Sequence, residues 1–140
     1  MVQPDTNDPV TGPFWLAASE QRLVMSWCER CDCAVWYPKP ACPECGGLLH
    51  WKTLSGDATL LSWTVVSKTM NPSFNGSYIP ALVVPRDAPG TRLVTQLVDC
   101  EPAELVCDMP LALRFGMLQP REGDPYMAPL FTPFRLRVGP

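Results

Sequence analysis

Two C-x-x-C pairs constrain this chain more than any other feature. Cys28 and Cys31 form the first pair and Cys42 and Cys45 the second, with ten residues between them. Thiolates so spaced point inward from two facing turns and close a tetrahedron around one metal ion. The pairs read C-E-R-C and C-P-E-C-G-G, and the connector holds Pro38 and Pro40. The spacing predicts one structural zinc per chain, held by Cys28, Cys31, Cys42 and Cys45. Iron in a four-thiolate site is the alternative metal. Four protein ligands leave no open coordination position, so this metal holds structure and does no chemistry.

A chain of 140 residues forms one ordinary domain or two small ones sharing a core. Its hydrophobic fraction of 46% argues against global disorder. Seventeen prolines point to short strands and turns rather than long helices. No apolar run is long enough to span a bilayer. Met1 to Asp8 has neither a basic segment nor an apolar stretch of secretory type. The expected compartment is therefore the cytoplasm, where thiols stay reduced. A disulfide framework would need a secreted context and would leave one of seven cysteines unpaired. The formal net charge is −3. Four thiolates and one zinc add −4 and +2, giving about −5. The arginines at 86, 92, 114, 121, 135 and 137 are dispersed among acids. Neither feature suits a nucleic-acid binder.

Along the chain, residues 1–12 are polar and expected to be loose. Pro13 suits the first position of a short helix, with Phe14, Trp15 and Ala18 near one face. So short a helix is unstable alone and needs something to pack on. Arg22–Trp27, Ala34–Tyr37 and Leu48–Leu54 then alternate with the two cysteine knuckles, which is a zinc-ribbon layout. From Gly56 the pattern has period two. Leu61, Trp63 and Val65 share one strand face and Ala58, Ser62 and Thr64 the other. Further strands are predicted at Ile79–Val84, Arg92–Val98, Leu111–Met117 and Phe134–Val138. Five short strands suggest a small closed barrel, for which an OB-fold is the commonest choice. The expected architecture is mostly β. It comprises a flexible N-terminus (1–12), a short helix with a rubredoxin-like zinc ribbon (13–55) and a five-stranded OB-fold barrel (56–140). Two loops, Lys68–Tyr78 and Gln119–Pro129, exceed what a hairpin needs, and such loops are often functional.

His50 is the only histidine and reads as a surface or packing residue. Glu101, Glu104 and Asp108 read as a solvated turn. Cys33 is a spare ligand on the wrong side of its knuckle. Cys100 and Cys107 read as small apolar residues. No nucleophile-elbow, phosphate-loop or dinucleotide motif is present. Trp63, Phe74 and Tyr78 have three readings: packing the barrel, gripping an apolar partner or acyl chain, or stacking nucleic-acid bases.

Taken together, Pro13-Phe14-Trp15, Arg22-Leu23 before the first C-x-x-C, Pro38-x-Pro40-x-Cys42-Pro43-x-Cys45-Gly46, and Leu61-Ser62-Trp63-Thr64-Val65-Val66 with Pro80 and Ala81 carry a resemblance. From Pro13 to the last strand the chain resembles the zinc-ribbon and OB-fold family once catalogued as domain of unknown function thirty-five. It departs at Gln21, where that family often has glycine. The resemblance implies a non-catalytic accessory subunit of a thiolase-superfamily enzyme, either a thiolase, a thiolase-like aldolase or an acyltransferase. The subunit would help form or shield an acyl-CoA site. It further implies a heterotetramer with two copies of each chain. The resemblance and the apolar helix together suggest partner or coenzyme A contacts at Phe14, Trp15, Trp63, Asn71, Phe74 and Tyr78, with the loop Lys68–Tyr78 over the pantetheine arm. The rival readings are a single-stranded nucleic-acid binder and an autonomous acyl-CoA-binding enzyme.

Overall fold

The computed structural model describes residues 4–67, 77–120 and 123–135. Among the described residues one α-helix, α1 (Gly12–Ser19), precedes eight strands. Three form the ribbon sheet: β1 (Val24–Cys28), β2 (Cys33–Ala34) and β3 (His50–Thr53), in the order β2-β1-β3. The other five are β4 (Asp57–Trp63), β5 (Ile79–Pro85), β6 (Leu93–Leu97), β7 (Pro110–Leu118) and β8 (Tyr126–Pro133). They close a barrel in the order β4-β5-β6-β8-β7. Among the described residues the fold is thus mostly β, with one short helix, a four-cysteine ribbon and a five-stranded OB-type barrel.

The turn before α1 is built by Asp8, whose carboxylate accepts the N–H groups of Val10 (2.8 Å) and Thr11 (3.0 Å). These bonds, Thr11 first, hold its carboxyl below the usual carboxylate range. Pro13 occupies an early helical position, as its fixed φ allows. The helix stops at Gln21, whose φ of 59° lies in the left-handed region. There Gln21 N–H donates to Ala18 (2.9 Å) and Arg22 N–H to Ala17 (2.9 Å), the closure that usually recruits glycine. Gln21→Gly relieves the Cβ strain at some cost in chain entropy. The expected result is an unchanged fold and a stability gain of up to ~1 kcal/mol, read as a small rise in Tm.

Strand β1 is buried at all five positions. Leu23, Met25 and Trp27 join one contiguous core with Phe14 of the helix and Leu60, Val83, Leu111 and Phe131 of the barrel. Ribbon and barrel therefore share a hydrophobic centre. Gly56 makes the crossing between them. Its φ is 96°, and a Cβ there would sit 2.9 Å from Leu113 Cβ, so only glycine fits.

Three strands differ from their sequence reading. In β4 the inward residues are Ala58 and Leu60, because the register with β5 shifts between Leu60 and Ser62. The extra residue changes the phase, so the Leu61–Trp63 alternation holds only beyond the bulge. The return strand of the ribbon is shorter than expected, covering only Cys33–Ala34. The last barrel strand is Tyr126–Pro133 and not Phe134–Val138; residues 136–138 lie outside the described residues. Prolines at 129 and 133 hide β8 from pattern reading. Phe131 C=O accepts from Val98 N–H (2.9 Å) and Pro129 C=O from the Thr95 hydroxyl (2.9 Å), so odd-numbered residues of β8 face β6. The β6–β8 ladder is a single parallel pair, Leu97 with Phe131. A missing N–H costs little on that side, while the even-numbered residues complete the β7 ladder.

Candidate metal centre and partner surface

The two knuckles bring the sulfurs of Cys28, Cys31, Cys42 and Cys45 within 4.8 Å of one another. Cys28 Sγ lies 3.6 Å from Cys45 Sγ, and Cys31 Sγ 4.0 Å from Cys42 Sγ. A zinc tetrahedron with ~2.3 Å bonds has sulfur–sulfur edges of about 3.8 Å. The four thiols thus fit zinc in number, type and spacing. Backbone N–H groups are aimed at the sulfurs: Cys31 to Cys28 (3.4 Å) and Gly47 to Cys45 (3.4 Å). The second knuckle turns through Gly46, at φ 70°, whose N–H donates to Cys42 C=O (2.8 Å). Cys33 pairs across from Cys28 on the neighbouring strand and is outside the four-thiol group.

The cluster's electrostatics also favour a cation. The backbone N–H groups of Cys45 and Glu44 lower the Cys42 thiol to about 7. Cys31 is pushed up to about 12, chiefly by the Cys45 sulfur, then by Cys28 and by burial. Cys28 also lies above its usual range, although the Cys31 N–H pulls it down, because burial and the Cys45 sulfur outweigh that bond. Without a cation the group retains protons, and a metal must displace them. Apparent zinc affinity should therefore rise with pH, by about tenfold per unit for each proton displaced. Acidification should release the metal, and a zinc-indicator titration from pH 8 to 5 checks this.

Five aromatic rings run from the ribbon across α1 to the barrel. Tyr37 meets Trp36 edge to face (5.6 Å), Trp36 meets Phe14 at a tilt (5.2 Å), and Phe14 meets Trp15 (5.1 Å) and Trp15 meets Tyr126 of β8 (5.8 Å) edge to face. Phe14 is buried inside this chain, whereas Trp15 is half-buried. The neighbouring Leu16 is 50% exposed and Tyr37 63%, so the line of rings ends at a surface. Trp63 and Tyr78 lie elsewhere, near one end of the β4–β5 ladder. Trp63 pairs with Ala81 there, and Tyr78 forms a bridge with Val66. Trp63 borders a shallow depression of about 270 Å³ with Pro80, Leu82 and Val94. Asn71 and Phe74 lie outside the described residues.

The remaining residues singled out in the sequence lie apart from the four-thiol group. His50 is exposed at the start of β3. Glu104 accepts the Glu101 N–H (2.7 Å) and pairs with Arg135 (3.2 Å). Arg114 pairs with Asp99. Cys100 is half-buried and its thiol is raised, mainly by burial. Sequence reading missed the ring line because Trp36 and Tyr126 fell in segments read as a ribbon strand and a loop. No helix among the described residues is long and apolar enough to cross a membrane.

A four-thiolate ribbon fused through a common core to an OB-type barrel defines a class of zinc-ribbon/OB-fold protein. Residues 15–49 match the rubredoxin-like zinc ribbon domain of ChsH2, and residues 51–116 match the C-terminal OB-fold domain of ChsH2. The chain belongs to this family, the domain of unknown function thirty-five. A solved structure of an Ltp2-ChsH2(DUF35) aldolase aligns with a TM-score of 0.79 and 29% identity, over 94% of this chain and 98% of that one. A DUF35 protein of unknown function from Sulfolobus solfataricus aligns with a TM-score of 0.55 and 13% identity, over 75% and 77%, a likeness of fold alone. A protein from Thermomonospora curvata named as a probable enoyl-CoA hydratase alpha subunit is 36% identical over 124 residues. Those residues are 86% of this chain but 36% of that relative, so the chain spans about a third of its length.

Proposed function

We infer that this chain is a non-catalytic accessory subunit that binds a thiolase-superfamily enzyme and helps form or shield its acyl-CoA site. The supporting observation is the likeness, over nearly the whole of both chains, to the structure of an Ltp2-ChsH2(DUF35) aldolase. In this reading residues 1–12 lead into the docking element, residues 13–55 display it on the ribbon, and residues 56–140 form the barrel. The assembly is a cytoplasmic heterotetramer with two copies of each chain. Trp63 and Tyr78 are the contacts to the coenzyme A thioester or the partner among the described residues, and Asn71 and Phe74 are further candidates outside them. Neither nucleic acid nor membrane is a partner.

The helix supports this reading physically. From Gly12 to Ala18 it carries no charged residue, yet one side is open at Leu16. An apolar helix with an open side gains by being covered. Phe14 contributes from within by fixing the helix, and Trp15 and Leu16 provide the contact. Trp15→Ala should keep the fold and one zinc per chain but weaken co-purification with a co-expressed thiolase-superfamily partner by about tenfold or more. Unchanged co-purification would remove α1 from the interface.

A further inference from the structure

We propose that the barrel and helix α1 keep their native packing only while the ribbon holds its metal, so zinc occupancy governs the surface the whole chain presents. This goes beyond the accessory-subunit reading and does not depend on it. Two physical links carry it, and both start beside the metal ligands.

The first link is β1. Cys28 is its last residue, and the residues just before it, Met25 and Trp27, are 0% and 7% exposed within the core that includes Phe131 and Leu60 of the barrel. The strand is fixed on both edges, by Trp27 opposite Ala34 and by four register pairs with β3 from Val24 to Trp27. Lys52 Nζ lies 4.0 Å from the centre of the Trp27 ring, and Leu54 N–H donates to Leu23 C=O (2.9 Å). One rigid strand thus has a metal ligand at one end and barrel core along its length. The knuckles at the far end of that strand have little else to hold them. The apolar cluster there is Cys28, Val35 and Cys42, with Cys45 and Leu49 against them, and three of the five are ligands. Knuckles so poor in apolar packing depend on their metal to hold their shape.

The second link is the line of rings. Trp36 follows Val35 of that small cluster and packs at a tilt on Phe14, Phe14 meets Trp15 edge to face, and Trp15 in turn meets Tyr126 of β8. Loss of the ribbon withdraws Trp36 from one side of α1. An eight-residue helix cannot hold its place without packing.

Hydrogen exchange read by mass spectrometry tests both links on the full chain under reducing conditions. With zinc removed by a chelator, peptides covering α1, β5 and β8 should each lose at least about tenfold in protection, and added zinc should restore it. Retained protection in β5 and β8, with exchange confined to the ribbon, would overturn the first link, as would loss that zinc does not reverse. Trp36→Ala isolates the second link because all four ligands stay. That variant should bind one zinc and keep β5 and β8 protected while α1 exchanges faster. An unchanged α1 in this variant would overturn the second link.

Discussion

Cys45→Ser should yield a chain that holds no stoichiometric zinc and is largely unfolded at 37 °C. Its sulfur lies 3.6 Å from that of Cys28, and the backbone N–H of Gly47 is aimed at it. Serine is a poor zinc ligand, and three thiolates cannot satisfy a closed tetrahedral site. Structural zinc in small modules supplies ~10–16 kcal/mol of apparent folding free energy at neutral pH. A domain of this size has a total stability of about 5–15 kcal/mol, so loss of the site removes most or all of the margin. Metal analysis together with thermal melting checks this. Cys33→Ser is the matched control. Cys33 lies outside the four-thiol group, and the variant should retain zinc and melt near the wild type. If Cys45→Ser melts like the wild type, the metal site contributes nothing to the fold.

Phe131→Ala should produce the next largest effect. Phe131 is fully buried, belongs to the shared core, and stands where β8 makes its one pair with β6. Removing its ring takes apolar surface out of the core and leaves a cavity that the closed barrel cannot collapse to fill. Phe→Ala changes at such sites cost ~3–5 kcal/mol. For a chain of this length that lowers Tm by roughly 10–20 °C. The zinc ligands are untouched, so the folded fraction should still bind one metal ion. A Tm within a few degrees of the wild type would mean that β8 does not close the barrel through this residue.

The metal site was legible in the sequence because ligand chemistry demands both residue type and spacing. The barrel was legible through period-two patterning in four of its five strands, all but β8. The misread strands have separate physical causes. In β8 the prolines sit on the side that needs few N–H groups, so a residue that signals a break in most strands is harmless there. In β4 one extra residue moves the inward phase from Leu61 back to Leu60. The face of α1 was hidden for a different reason. Nearly all its residues are apolar, so pattern alone does not distinguish the buried Phe14 from the exposed Leu16. The family signal at Gln21 did translate into backbone geometry. The position where the resemblance implies glycine adopts a left-handed φ in this chain.

The proposed role is that of a chain that displays a surface to a partner, and three features support it. The ribbon and barrel share one core, the closed metal site has no position for substrate, and an apolar helix is laid across the joint. The most direct test is the mass of the species formed when this chain is co-expressed with a thiolase-superfamily protein. A stable complex with two copies of each chain, lost in Trp15→Ala, is the expected result. Separate elution of both proteins, with acyl-CoA turnover by this chain alone, would contradict it.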